Sequence, residues 1–209
     1  MKASVFTILF LSLTFIANAQ KKAVTELGEE VILYDDGKWE YLNKSDAETY
    51  EISTNPKNFK KSKNASFLLK STRFNIGFWV DTKKWSFKKG ENNGDAEYEL
   101  ELKNEDLYAM VISEKVEIPL PSLKNIALET ARSASPDIRI VKEEYRKVNG
   151  VTVMLLQMDG TLQGIKFTYY GYYYSNQNGT VQFVTYTAQN LIDGYKKDIE
   201  ELLNGFVEM

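Results

Sequence analysis

Residues 151–188 constrain the fold more than any other part of the chain. They read VTVMLLQMDG, TLQGIKFTYY, GYYYSNQNGT and VQFVTYTA, three strand-like runs separated by turn residues. The first run, 151–158, is apolar on both faces, as a strand covered on both sides must be. The second, 165–174, carries five of the chain's 13 tyrosines. The third, 181–188, is rich in β-branched and aromatic residues, which suit a pleated, half-buried surface. Asp159-Gly160 and Asn178-Gly179 are turn signals, and the second lies between two aromatic runs as a hairpin tip would. The stretch predicts an antiparallel meander at the centre of the molecule.

The segments on either side extend that sheet. Residues 74–80 (FNIGFWV) form a strand leading to Trp85, and residues 90–95 (GENNGD) have loop composition. Residues 96–103 alternate: Ala96, Tyr98, Leu100 and Leu102 face the core, while Glu97, Glu99, Glu101 and Lys103 face solvent. Side chains two apart on a strand stand roughly 7 Å apart, so the three glutamates are expected as a solvated face and not as a calcium site. Residues 107–113 are apolar on both faces and central. Ser122 then looks like the N-cap of a helix bearing Leu123, Ile126, Ala127 and Ala131 at helical spacing. A strand over 137–148 and an Asn149-Gly150 turn lead into the meander. On a final helix capped by Asn190, residues Tyr195, Ile199, Leu202, Leu203 and Phe206 form one apolar stripe. The fold class expected is α+β: a mainly antiparallel sheet with a central helix and a C-terminal helix packed on it, preceded by a short β-hairpin.

The chain has 209 residues, 43% apolar and 26% charged, with a net charge of −3. That charge is too mild to argue for nucleic acid or an anionic membrane surface, and no nucleic-acid partner is expected. Cysteine and histidine are both absent, which removes disulfides, Cys/His metal sites and every triad or dyad that uses His or Cys. At the N-terminus, Lys2 begins a short positive region, residues 5–16 are apolar, and Ala17-Asn18-Ala19 fits a signal-peptidase site. Residues 1–19 are therefore expected to be a cleaved signal peptide, with Gln20 the first mature residue. This largely apolar run of roughly 12 residues is too short for a membrane that needs about 20, and without cysteine no lipid anchor is expected. The expected location is periplasmic or secreted, with no transmembrane span after cleavage.

Residues 23–41 (AVTELGEEVILYDDGKWEY) carry an Asp-Gly turn between two β-favouring runs. The segment resembles a short hairpin unit of exported bacterial proteins, T-x-x-G-x-x-V-x-L-x-x-D-G-x-W-x-Y, matched at Thr25, Gly28, Val31, Leu33, Asp36, Gly37, Trp39 and Tyr41. Trp39 and Tyr41 either pack onto the main domain or serve as exposed docking anchors. Residues 43–66 hold few apolar residues and the cluster Lys57, Lys60, Lys61 and Lys63, and are expected to be a linker. The domain plan is thus 1–19 signal peptide, 20–42 hairpin segment, 43–66 linker and 67–209 main domain.

The segments FNIGFWVDTKKW, VNGVTVMLLQMDG and TVQFVTYTA, with the terminal helix running to Phe206, give residues 67–209 an order that resembles the PsbP-like family. That resemblance implies an α/β/α sandwich and a small accessory or adaptor domain that binds other proteins. It carries over no binding residue.

No G-x-S-x-G elbow, phosphate-cradling loop or dinucleotide fingerprint is present. The 29 acidic residues guarantee chance pairs, and none stands out as a catalytic couple. No catalytic residue, metal ligand or cofactor is assigned. Alternation places Phe167, Tyr169, Gly171 and Tyr173 on one face of their strand, and Tyr170, Tyr172 and Tyr174 on the other. Both sets are expected in the core, or else Tyr172 to Tyr174 line a pocket or docking face, with Gly171 allowing close approach of a ligand. The binding candidates are therefore Tyr172, Tyr174, Trp39 and Tyr41. The function read from these residues is an exported, non-enzymatic accessory domain that contacts a protein of the bacterial envelope. The alternatives are a small-molecule or lipid-binding domain with an aromatic-lined pocket and a carboxylate-dependent hydrolase.

Overall fold

The computed structural model describes residues 21–25, 30–42, 52–90 and 95–209. The expected signal peptide and cleavage site, Gly28, residues 43–51 of the expected linker and the middle of the 90–95 loop lie outside the described residues. The chain divides into two units, an N-terminal one and one that comprises the rest.

The N-terminal unit is a three-stranded antiparallel sheet of β1 (Lys21–Val24), β2 (Glu30–Leu33) and β3 (Trp39–Tyr41). The Asp36-Gly37 turn forms as its sequence demands, with Gly37 at φ 81° and Asp36 Oδ1 accepting from the Lys38 N–H at 3.0 Å. The unit has one strand more than the hairpin read from the sequence. Pairing of Ala23 with Val31 and of Val31 with Tyr41 places Val31 centrally, where it is buried.

The larger unit is built on an eight-stranded sheet. Its strands are β4 (Thr54–Phe59), β7 (Trp85–Lys89), β8 (Ala96–Leu102), β9 (Tyr108–Glu114), β10 (Arg139–Val148), β11 (Val151–Leu162), β12 (Ile165–Asn176) and β13 (Gly179–Ala188), in the spatial order β4-β10-β11-β12-β13-β9-β8-β7. Helix α1 (Leu120–Ala134) covers β11 and β12 on one face, burying Leu123 and Ala127 against Met154, Leu156 and Tyr173. The other face meets helix α2 (Ile192–Leu203) and a small sheet of β5 (Phe67–Lys70), β6 (Ile76–Val80) and β14 (Phe206–Glu208), in the order β14-β6-β5. This is the α+β arrangement read from the sequence, with the meander β10 to β13 at its centre.

Several local expectations change. The expected linker contributes strand β4, which pairs parallel to β10 through Tyr145–Thr54 and Val148–Phe59. An edge strand needs few apolar residues and tolerates Pro56, whose missing N–H need not enter a ladder. Past β4, the Lys61 N–H donates to Asn149 Oδ1 at 3.0 Å, and its ammonium lies 4.6 Å from the Trp79 ring. The larger unit thus begins well before residue 67.

Asp159-Gly160 is strand and not turn. The β11–β12 reversal comes at Gln163-Gly164, with φ 51° and 82°. Gly160 serves a different need: a Cβ there would stand 2.5 Å from Ser135 Oγ, where the chain leaves α1. Gly171 lies against β13, where a Cβ would meet Phe183 O at 2.8 Å, so its smallness accommodates a neighbouring strand and not a ligand. Helix α1 begins at Leu120 behind Pro119, two residues before the Ser122 cap expected. Helix α2 follows a 3-10 turn over Gln189–Leu191. It buries Ile199, Leu202 and Leu203 as its stripe predicts. Phe206 has left the helix and lies in β14 opposite Phe78.

Glu97 is the largest departure. A register shift between Ala96 and Tyr98 marks a bulge, which breaks the alternation and turns Glu97 inward. The Ser71 hydroxyl donates to Oε2 at 2.7 Å and the Thr72 hydroxyl to Oε1 at 2.8 Å, joined by the Thr72 N–H and the Ser113 hydroxyl. Burial works against the charged form, but these donors hold the Glu97 carboxyl below the usual range. The knot ties β8 and β9 to the chain just after β5.

Candidate functional site

The tyrosine run of β12 is divided by the pleat as expected, and the two faces have different fates. Tyr170, Tyr172 and Tyr174 point toward α2 and the small sheet, and all three are buried. Tyr172 and Tyr174 are therefore not available as surface anchors. Tyr174 packs on Phe206 with ring centroids 5.1 Å apart and planes tilted at 54°. Tyr172 and Tyr170 belong to a polar network centred on Arg146 of β10, whose side chain is 3% exposed.

Arg146 Nε donates to Glu144 Oε1 at 2.6 Å, Nη1 to Tyr172 Oη at 3.1 Å and Nη2 to Tyr170 Oη at 3.2 Å. Its guanidinium stacks 4.5 Å from the Phe59 ring. Asn55 closes the far side by donating to Glu144 Oε2, and Tyr172 Oη donates to Asn204 Oδ1 at 2.8 Å. Glu200 of α2 accepts from Tyr170 Oη at 3.3 Å. Burial pushes the Tyr172 hydroxyl up to about 12, and burial holds the Lys196 ammonium, 3.5 Å from the Tyr170 ring, down to about 8. Every buried side-chain N or O atom described has a partner. The cluster ties α2, β10 and β4 together; its hydrogen-bonding capacity is spent inside the protein.

The opposite face is open. Seven strand gaps make a sheet about 34 Å wide, whereas one helix covers only about 10 Å. Helix α1 lies on β11 and β12 and shares a buried cluster with Val184 of β13; among the described residues no helix lies over β9, β8 and β7 beside it. Across this area runs an aromatic row set by register, with Tyr169 opposite Tyr186 and Tyr186 opposite Tyr108. Tyr108 and Tyr186 stack with centroids 5.5 Å apart and planes at 24°. Tyr169 meets Tyr186 edge-on at 6.2 Å, and Phe167 meets Tyr169 edge-on at 5.0 Å. All four rings are half-buried.

The row ends in a cleft of about 330 Å³ lined by Ser86, Lys88, Glu99, Glu101, Tyr108 and Tyr186, with Phe87 and Leu100 of the same strands. Glu101 stands directly opposite Tyr108. Glu99, 13% exposed, pairs with Lys88 at 3.4 Å. The Tyr186 hydroxyl is harder to ionise than usual, first through burial and then through the negative charge of Glu99. A wider depression of about 530 Å³ lies beside β4, lined by Asn58, Phe59, Lys60, Lys147, Asn149 and Gly150. The Asn149 amide in its lining already donates to the carbonyls of Asn204 and Phe206. Among the described residues no three His, Cys, Asp or Glu side chains are grouped to hold a metal.

The other two sequence candidates lie on β3. Trp39 is 52% exposed and Tyr41 half-buried, and their rings meet edge-to-face at 5.1 Å. They remain together, apart from the tyrosines of β12 in sequence and in unit.

The solved structure of the cyanobacterial PsbP protein (CyanoP) from Synechocystis sp. PCC 6803 superimposes with a TM-score of 0.52, covering 71% of this chain and 95% of that one at 14% identity. The fold is PsbP-like. A protein of unknown function from Pseudomonas aeruginosa matches at TM-score 0.43 and 12% identity over 60% of this chain and 83% of its own. A Bacteroides thetaiotaomicron protein matches at 0.45 and 10% over 69% and 49%. No family model matches the sequence, and no curated protein matches it.

Sequence reasoning missed Tyr108, Tyr186 and Glu99 as members of one site. Their union depends on β9 and β13 becoming neighbours, a pairing that sets Tyr186 opposite Tyr108, 78 positions earlier. The signal within reach was the count of helices: one helix between β9 and β10 cannot cover a sheet of this width.

Proposed function

We propose that the protein is an exported, non-enzymatic accessory domain that works by contacting another protein in the bacterial envelope, and that the contact uses the open half of the sheet. The observation that carries this reading is the half-exposed row Phe167–Tyr169–Tyr186–Tyr108 beside α1. Rigid aromatic side chains supply contact area at low entropic cost and are enriched at interface centres. In a filled sandwich, rings of this kind are normally sealed, as Tyr170, Tyr172 and Tyr173 are on either face of β12. In this reading the leader at residues 1–19 is removed and Trp39 offers a separate contact on the N-terminal unit. No described helix is long and apolar enough to cross a membrane.

The test is partner recovery with the mature chain expressed in its native envelope and cross-linked there. Tyr108→Ala with Tyr186→Ala should lose a partner that the parent captures, while the melting temperature stays within a few degrees. Undiminished capture by this double variant, alongside capture lost by Trp39→Ala, would move the contact to the N-terminal unit. Loss of capture by neither would remove the docking reading.

A further inference from the structure

We infer that the cleft at the end of the aromatic row receives an arginine side chain of the partner. The inference rests on the docking reading above and specifies the chemistry of what docks. Three features of the cleft converge on a planar cation. Tyr108 and Tyr186 present stacked rings, and the negative face of an aromatic ring attracts a cation laid against it. Glu101 faces Tyr108 across the ladder and Glu99 lies one step further along β8, so two carboxylates flank the rings. Among the described lining residues the cation is Lys88, which engages Glu99 from the cleft rim with half of its side chain in water. Among the described lining residues, two carboxylates stand to one lysine; burial first, and then the negative charge of Glu99, make the Tyr186 hydroxyl harder to ionise.

Arginine fits these features better than lysine. Its guanidinium is flat, stacks on tyrosine and offers paired donors to a carboxylate, whereas an ammonium is a compact, strongly hydrated point charge. The same protein already uses this mode in its interior, where Arg146 lies against Phe59 while donating to Glu144. The volume, about 330 Å³, is at the lower end for ligand sites and suits one long side chain entering from an extended segment. Ser86 at the outer strand adds a hydroxyl within the lining.

The probes are a capped hexapeptide carrying two arginines and the identical peptide with citrulline in their place, titrated into the full mature chain. Aromatic ring resonances of Tyr108 and Tyr186 are followed by NMR at low and at physiological salt. The arginine peptide should give saturable shifts at both rings that weaken with salt, and the citrulline peptide should bind about tenfold more weakly or not at all. Glu101→Lys, on an exposed position, should cost the arginine peptide about tenfold in affinity without changing the melting temperature. Glu99→Gln serves as a second variant with the rings intact.

Equal binding of the two peptides, or absence of ring shifts with both, overturns the inference. Failure here is separable from failure of the docking reading. If Tyr108→Ala with Tyr186→Ala loses the envelope partner while Glu101→Lys retains it, the surface docks and the arginine assignment falls. If both variants retain the partner, both statements fall together.

Discussion

Arg146 and Glu144 form an ion pair 2.6 Å long in which neither side chain has more than about a tenth of its surface in water. The two residues are separated by one position on β10 and point the same way, toward α2. Taking such charges out of water is costly unless each is fully hydrogen-bonded, and here each is. Removing one partner should therefore cost far more than removing both. Arg146→Met is expected to destabilise by about 3–5 kcal/mol, and adding Glu144→Gln should restore a substantial part of that. Urea unfolding of the two single variants and the double variant checks it; strictly additive losses would mean that the pair is not coupled.

Glu97 predicts an acid-side effect. Its folded pKa lies below the ordinary value because Ser113, Thr72 and Ser71 outweigh the cost of burial. The carboxylate therefore contributes stability that is complete above the unfolded pKa and lost as pH falls through the lower folded one. The stability gap between the parent and Glu97→Gln should be widest near neutral pH and close below pH about 4. A gap independent of pH between 3 and 7 would show that the bulge, and not the charge, holds the knot.

Lys196 works in the opposite direction. Burial lowers its folded pKa to about 8, with Glu200 and Asp193 opposing and Lys142 and Arg146 assisting. The unfolded chain binds the proton more tightly, so Lys196 costs stability below pH about 8 and that cost disappears as pH rises toward the unfolded value of about 10.4. Lys196→Met should melt higher than the parent at pH 7, and the advantage should shrink on approach to pH 10. Thermal melts of both proteins across that interval measure it.

The β4 segment should behave as part of the fold. A chain beginning at residue 67 lacks Phe59, whose ring covers the Arg146 guanidinium, and Asn55, which donates to Glu144. It is expected to melt well below a chain beginning at residue 52. Equal melting temperatures would mean that the parallel β4–β10 pairing adds nothing.

Phe206→Ala should cost about 3–5 kcal/mol, because the ring is buried against Phe78 and Tyr174. Leu203→Ala should cost about 2–5 kcal/mol for the same reason. Chemical denaturation of each variant measures these losses.

The strands of the meander, the Asn149-Gly150 turn and the buried stripe of α2 were legible because local signals agree with the fold at each of them. Legibility failed where a distant neighbour decided the outcome. Asp159-Gly160 reads as a turn, yet β11 continues pairing with β12 as far as Leu162. Glu97 sits in clean alternation, yet one bulge reverses it. Residues 54–59 are polar enough for a tether, yet the exposed edge of β10 accepts them. At the candidate site, sequence alternation sorted the tyrosines of β12 into faces correctly. It offered Tyr172 and Tyr174 as the accessible set, whereas both are sealed and the half-open rings are Tyr169 and Phe167, joined by Tyr108 and Tyr186. Which face stays open depends on where α1 lies, and no local pattern states that.

The parallel pairing of β4 with β10 also sets a schedule. Asn55 and Glu144, which touch across that edge, are 89 positions apart, and a chain made from its N-terminus delivers them at very different times. The three strands of residues 21–41 need only one another and can close as soon as they emerge. Strand β4 must wait until β10 has arrived and has itself been captured by β11, because closing so long a loop brings no reward before then. The first strand of the large sheet to be synthesised is thus among the last to take its place, and in the interval one flank of the growing sheet is open to any extended chain nearby.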